Sequence, residues 1–235
     1  MKVYKYMTCD IFMGHLETHL RGEVHLSSWR DFNDPMEGYF SYIANSAPKY
    51  IVNAIVGNKE RYRISCFSKS YRKYLLWSHY TNGHKGVCLE FDVKKPLPDN
   101  CILEPITYTK TLPCFDRDQD VEEQARRFLL TKTLQWKQEK EIRLLCPTPQ
   151  VDNIVLGRLS GIIFGVKLAE GDMADQTLQH IMEAIQDSSH HQTLTLYQAE
   201  IEADHPNISR RIYERMGNKK NSAHQKLQEN IVAML

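Results

Sequence analysis

Aromatic and imidazole side chains are concentrated between residues 77 and 84. This span holds Trp77, His79, Tyr80 and His84 and is flanked by two strand-like apolar runs. Rings that both stack and form hydrogen bonds are common in small-ligand pockets. We therefore predict one wall of a ligand site, in which Trp77 or Tyr80 stacks on a ligand ring. His79 or His84 would bind phosphate or act as a base near neutral pH. The alternative is a core tryptophan, a surface histidine and a hairpin.

Two carboxylates and a guanidinium alternate near residue 140. Glu139, Glu141 and Arg143 fall on one face of a strand predicted over residues 136–146, because side chains along a strand alternate between its two faces. In a cleft, the carboxylates would hold sugar hydroxyls or stabilise developing positive charge. On a solvent-facing strand, the same residues would only pair with one another. The sequence leaves both interpretations open.

The segment Asn33-Asp34-Pro35 has the composition of a turn. The Asn and Asp side chains can hydrogen-bond to nearby backbone, and Pro35 restricts its own φ. One interpretation is a structural turn that starts a helix running toward residues 50–56. The other is that Asn33 and Asp34 present polar groups to the rim of a pocket.

Common metal and cofactor motifs are not found. His15 and His19 have the spacing of a zinc-binding pair on a helix predicted over residues 10–20, but the zincin pattern needs a glutamate directly after the first histidine, and Glu17 is displaced. The six cysteines include no Cys-x-x-Cys pair. The glycine patterns of Rossmann folds, P-loops and nucleophile elbows are also missing. We predict no metal site.

The composition is that of an ordinary globular protein. Hydrophobic residues make up 42% and charged residues 25%, and 30 basic side chains against 29 acidic ones give a net charge of +1. This balance does not favour a nucleic-acid or anionic-membrane surface. The N-terminus lacks the apolar core of a signal peptide, and no window resembles a membrane span. We expect a cytoplasmic protein with reduced cysteines and no membrane partner.

The patterning predicts one α+β domain over residues 1–204. Alternating, antiparallel-looking strands are mixed with amphipathic helices, one of them over residues 121–132. Residues 205–235 are basic and then helical, and we predict a helical appendage there that could form a homodimer contact.

Several short motifs occur together in a recognisable order. In this order they resemble a bacterial domain-of-unknown-function family, number 2971, over about residues 1–200, a resemblance that implies no established reaction. The motifs are Lys5-Tyr6, Leu26-Ser27-Ser28, Phe32-Asn33-Asp34-Pro35, residues 64–68, Trp77-Ser78-His79-Tyr80, His84-Lys85-Gly86 and residues 136–143.

A weaker resemblance is to ADP-ribosyltransferases. Glu139-Lys140-Glu141 is similar to their late Glu-x-Glu pair, and Ser27-Ser28 is similar to their serine-bearing strand. The resemblance implies split antiparallel sheets flanked by helices, with NAD bound in the cleft. It also implies that Glu141, assisted by Glu139, promotes loss of nicotinamide. The first strand departs from the pattern, since it offers only Lys5 and Tyr6 where those enzymes usually hold NAD with arginine or histidine.

Three functional hypotheses follow. The first is an enzyme acting on NAD or a related nucleotide, with Glu141, Glu139 and His79 as catalytic residues. The second is a non-catalytic ligand- or partner-binding module of a phage-defence or toxin–antitoxin type system. The third and least favoured is a nuclease using His79, His84 and Glu139, because no paired acidic metal cluster is evident. The macromolecular acceptor of a transferase is not specified by the sequence.

Overall fold

The structure is a computed structural model that describes residues 1–42, 48–98, 100–147, 152–168, 174–187, 194–202 and 207–215. Within these ranges, α-helices and β-strands mix as predicted for an α+β domain. The helices are α1 (Cys9–Gly14), α2 (Leu16–Leu20), α3 (Lys49–Glu60), α4 (Tyr74–Tyr80), α5 (Val121–Leu129) and α6 (Ala174–Asp187), with 3₁₀ turns at Trp29–Asp31 and Leu134–Glu139. The strands are β1 (Lys2–Met7), β2 (Glu23–His25), β3 (Tyr62–Ser68), β4 (Val87–Val93), β5 (Ile102–Pro105), β6 (Thr107–Thr109), β7 (Thr131–Thr133), β8 (Glu141–Pro147), β9 (Asn153–Val155), β10 (Gly157–Phe164), β11 (Thr195–Ile201) and β12 (Ile208–Arg215).

The main sheet has eight strands in the order β12-β11-β10-β4-β1-β3-β8-β5. Neighbouring strands are antiparallel except for β10 and β11, which run parallel. Two small sheets, β2 with β9 and β6 with β7, lie outside it. The predicted α+β class with a largely antiparallel sheet is confirmed.

The main sheet is split between β1 and β3. Strand β1 pairs with β4 along its whole length, and β3 pairs with β8 along its whole length. In contrast, β1 and β3 are in register only at Tyr4 and Ser68. The sheet therefore consists of two parts that are joined at a single residue pair.

The hydrophobic core lies on both faces of the sheet. On one face, apolar side chains of α1, α2 and α6, such as Phe12, Leu16 and Ile181, pack on the sheet in the largest buried cluster. On the other face, Trp77 of α4 packs with Tyr4 and other residues of the central strands. Burial on both faces explains why the central strand β4 is apolar over most of its length.

The predicted helix over residues 10–20 is interrupted. Helix α1 begins at Cys9 because the Thr8 side chain accepts a hydrogen bond from the Ile11 amide. His15 then adopts a non-helical φ of −128°, which separates α1 from α2. Periodicity could not show this break, because apolar residues on both sides face the same core.

The predicted strand over residues 136–146 begins later than expected. Residues Leu134–Glu139 form a 3₁₀ turn, and Lys140 has a left-handed backbone with φ of 47°. Glu141 and Arg143 alternate on β8 as predicted, but the turn removes Glu139 from their strand register. The single-strand arrangement of the three charged residues is therefore wrong.

The chain continues into the sheet beyond residue 204. Strand β12 pairs antiparallel with β11, so residues 208–215 are not part of a helical appendage. The arginines hide the apolar alternation of this segment, and one of them, Arg210, covers the rings of Tyr71 and Tyr197. The predicted helix over 222–235 and the homodimer contact lie outside the described residues.

Two of the cysteines are joined. Cys101 and Cys146 form a disulfide, because the antiparallel pairing of β5 with β8 brings their Cα atoms to 4.2 Å. The expectation that all cysteines are reduced is corrected for this pair. Within the described ranges, no helix is long and apolar enough to cross a membrane.

Candidate functional site

A cavity of about 320 Å³ opens where β1 and β3 separate. Residues 4–7 of β1 and residues 64–68 of β3 line it. The other walls come from α1 and α2, from the segment 31–37, and from the region of Lys132 and Trp136. The split in the sheet therefore creates the cavity, since fully paired strands would leave no gap at this position.

Nine of the candidate site residues line this cavity, although they come from five separate segments of the chain. The fold therefore brings these nine residues to one place. They are Lys5, Tyr6, Ser27, Asn33, Asp34, Tyr80, Glu139, Glu141 and Arg143.

Four candidate residues lie elsewhere. Trp77 is 0% exposed, and its Nε1 donates to the Tyr71 carbonyl at 2.7 Å, so it is a core residue. His84 stacks against Trp77, is 6% exposed and does not line the cavity. His79 is exposed on the outer side of α4, and Ser28 caps the 3₁₀ turn that follows it. The predicted placement of these four residues at the site is corrected, because burial of Leu76 and Trp77 orients only Tyr80 of the aromatic–histidine cluster toward the cavity.

Glu139 and Glu141 share one cation. Lys132 Nζ lies 3.1 Å from Glu139 Oε2 and 2.7 Å from Glu141 Oε2. The Tyr80 hydroxyl donates to Glu139 Oε1 at 2.9 Å. Both carboxylates are therefore held by the same ammonium, and Glu141 Oε2 is buried against it.

Arg143 anchors the network beneath the cavity. Its Nε donates to Glu141 Oε1 at 2.6 Å, and its two terminal nitrogens clasp both carboxylate oxygens of Glu37. One of these nitrogens also donates to the Leu129 carbonyl at 2.6 Å. This bidentate pairing fixes the segment that carries Asn33 and Asp34 against the sheet.

Glu141 is an ionised carboxylate. Burial alone raises its pKa, but Arg143 and Lys132 outweigh burial and lower the pKa to about 2. Glu141 therefore carries a negative charge at neutral pH and cannot serve as a general acid there. An ionised carboxylate is instead suited to accepting a hydroxyl hydrogen bond or stabilising positive charge.

Lys5 is a second charged group on the cavity wall. Its Nζ donates to Ser65 Oγ at 2.9 Å and to the Cys66 carbonyl at 3.3 Å. Burial lowers the pKa of Lys5, and the nearby charge of Glu141 partly opposes this effect. Among the described residues, no carboxylate forms an ion pair with Lys5.

The overall charge of the lining is negative. Five carboxylates face three basic side chains around the cavity, so neutral or cationic groups suit it better than phosphates. These residues are Asp31, Asp34, Glu37, Glu139 and Glu141 against Lys5, Lys132 and Arg143.

Sequence reasoning missed Glu37, Lys132 and His19 as cavity residues. Glu37 follows the Asn-Asp-Pro turn directly, which was the available signal for it. Lys132 was assigned to a helix, but α5 ends at Leu129 and Lys132 belongs to β7. His19 was considered only as half of a metal pair. In the described part of the chain, no group of three or more metal-ligating side chains is placed to hold an ion.

Comparison with known families gives one match. Residues 76–144 match the model of a family described as a protein of unknown function, DUF2971. The match covers α4 through the first half of β8 and confirms the resemblance predicted from the motifs in this range. Comparisons with curated proteins and with solved structures gave no match.

Proposed function

We propose that the cavity binds the nicotinamide–ribose end of NAD or a related nucleotide, and that Glu141 assists cleavage of the glycosidic bond. The observation that carries this proposal is the state of Glu141, a buried, ionised carboxylate on the cavity wall. Such a carboxylate can accept a ribose hydroxyl and face the positive charge that develops on the sugar.

The shape and charge of the cavity support the same ligand. About 320 Å³ is at the lower end of the roughly 300–1,000 Å³ of small-ligand pockets, which suits one half of a dinucleotide. The negative lining favours the cationic nicotinamide ring, and the phosphates would extend toward the opening. Tyr80 and Trp136 are the aromatic side chains next to Glu139 that are available for stacking.

The chemistry requires little of the protein beyond electrostatics. Loss of nicotinamide leaves an oxocarbenium ion, which Glu141 would stabilise while Glu139 accepts a second hydroxyl. The bond electrons leave with nicotinamide, which becomes neutral and needs no proton. Water or an acceptor nucleophile then attacks the sugar carbon.

The test is to incubate the purified protein with NAD and a cell extract and to measure released nicotinamide. We expect release that falls on the order of 100-fold or more in Glu141→Gln, because one preorganised charge is removed. His79→Ala, at an exposed position away from the cavity, should retain the wild-type rate. Glu139→Gln, at the edge of the network, provides a second variant if Glu141→Gln does not fold. Absence of release from the wild type would exclude the enzymatic proposal.

A second candidate function is ligand or partner binding without turnover, as in a module of a phage-defence or toxin–antitoxin type system. It is favoured by the cations on both sides of Glu141, since Lys132 and Arg143 neutralise charge that catalysis would use. This candidate predicts that NAD raises the thermal unfolding midpoint while no nicotinamide appears.

A further inference from the structure

His19 is a buried histidine on the cavity wall that the proposed chemistry does not use. It lies on α2, is 2% exposed, and stacks on Phe12 with the two rings 3° from parallel. It also lines the cavity. Packing against Phe12 holds the ring in place, so the direction of its nitrogens is well defined.

The surroundings of the ring determine which nitrogen carries the proton. Nδ1 lies 3.4 Å from the Glu23 carbonyl oxygen, which can only accept a hydrogen bond, so Nδ1 is the protonated nitrogen. Burial lowers the pKa of His19 to about 4, and the ring is neutral at pH 7. Nε2 therefore presents a lone pair, and it has no partner among the described residues. A buried polar atom without a partner is uncommon in a folded protein.

Lys5 provides the complementary group. An ammonium has three N–H donors, and the described residues accept from two of them, at Ser65 and Cys66. Lys5 is close enough to His19 to lower its pKa. Both residues line the same cavity, one with an acceptor nitrogen and the other with a donor nitrogen.

A hydroxyl group matches this pair best. It can donate to His19 Nε2 while it accepts from Lys5 Nζ. An ionised phosphate or carboxylate oxygen has no hydrogen to donate to Nε2, and its own lone pairs would repel the lone pair of Nε2. The cavity also offers uncharged polar side chains, as is common for sugar recognition, at Thr18, Ser27, Asn33 and Asn153.

We propose that His19 and Lys5 form a subsite for a sugar hydroxyl of the bound ligand, named here the histidine subsite. As a statement about a nucleotide ligand, it rests on the proposed function. It adds a determinant of specificity beside the carboxylates: the ligand must carry a free hydroxyl at this position.

The test measures binding of nucleosides by calorimetry, with nicotinamide riboside, adenosine and 2′,3′-dideoxyadenosine as probes. In the wild type, we expect adenosine to bind on the order of tenfold more tightly than its dideoxy analogue. His19→Phe keeps the ring on Phe12 but removes both nitrogens. The substitution should lower the affinity for both ribonucleosides by a similar factor and leave the affinity for the dideoxy analogue unchanged.

Two further variants separate a binding role from a structural one. His19→Gln keeps a polar group near the position of Nε2 and should recover part of the affinity. His79→Phe is the matched control on the surface and should bind like the wild type. Thermal unfolding of each variant checks that the fold is retained.

The outcomes distinguish this inference from the proposed function. Equal affinity of His19→Phe and wild type, or equal affinity for adenosine and its dideoxy analogue, would overturn the histidine subsite even if NAD is cleaved. Binding of ribonucleosides that depends on His19, without nicotinamide release from NAD, would support the subsite and exclude the enzymatic proposal. Failure of every nucleoside to bind would overturn the subsite.

Discussion

At the scale of single residues, Arg143 is the group on which the site depends most. Its side chain is fully buried, and a buried charge costs several kcal/mol unless its donors are matched by acceptors. Glu37, Glu141 and the Leu129 carbonyl provide these acceptors from three separate segments. The same contacts that neutralise Arg143 therefore position the catalytic candidate Glu141 and the segment that borders the cavity.

Replacement of Arg143 by methionine should destabilise the protein strongly. Arg143→Met leaves Glu37 buried without its cation, and we expect a loss of about 3–5 kcal/mol in the free energy of unfolding. Urea denaturation measures this quantity. Arg158→Met is the control, because Arg158 pairs with Asp92 at an exposed position and should cost less than about 1 kcal/mol. Similar losses in the two variants would contradict the structural role of Arg143.

At the scale of elements, β12 shows how one buried side chain adds to the backbone pairing of an edge strand. The guanidinium of Arg210 lies 3.9 Å from the Tyr197 ring centroid and 4.5 Å from that of Tyr71. Its Nη1 donates to the buried carboxylate of Glu90 at 2.6 Å. Arg211, the next residue, faces the other way and pairs with exposed Glu200. The alternation of a strand thus gives two adjacent arginines different energetic roles.

The two arginines form a matched pair for mutation. Arg210→Met should lower the free energy of unfolding by about 1–3 kcal/mol, because it removes a cation stacked on two rings and one partner of the buried carboxylate of Glu90. Arg211→Met should cost less than about 1 kcal/mol, since exposed ion pairs contribute little. Thermal and urea unfolding under identical conditions compare them. A larger loss for Arg211→Met would mean that β12 is oriented differently.

At the scale of the whole molecule, the split in the sheet makes room for the cavity, and the disulfide links two strands at one edge of the same sheet. The split between β1 and β3 leaves room for the cavity, and one pair, Tyr4 with Ser68, joins the two parts. On the far side of the smaller part, the disulfide between Cys101 and Cys146 ties β5 to β8. Strand β8, which carries Glu141, pairs with β3 along one edge. Along its other edge it pairs with β5, to which the disulfide also links it.

Reduction of the disulfide should lower global stability. The bond closes a loop with a sequence separation of 45, for which chain entropy predicts a contribution of roughly 2–4 kcal/mol. Urea denaturation with and without dithiothreitol measures the difference. The double variant Cys101→Ser/Cys146→Ser should match the reduced protein and be insensitive to reductant. If reductant leaves the wild type unchanged, the two cysteines are not joined in solution.

Much of the site could be recognised from residue types and local spacing. The alternation of Glu141 and Arg143 identified a strand face that carries charged groups suited to binding or catalysis. The Asn33-Asp34-Pro35 turn was recognised as a candidate for the rim of a pocket. These signals are local, since they depend on side-chain alternation and turn chemistry over a few residues. The same local reasoning predicted the α+β class.

The tertiary structure alone decided which of these residues meet and in what state. Trp77 and Tyr80 are three residues apart, yet one is buried in the core and the other lines the cavity, because the sheet covers only one side of α4. Arg143 and Glu37 are 106 residues apart, and their pairing is not visible in any local pattern. The sequence by itself determined the available chemical groups and the elements that carry most of them. Only the packing of those elements around the split decided which side chains are buried and which charges meet, and the cations Arg143 and Lys132 set the low pKa of Glu141 on which the proposed function rests.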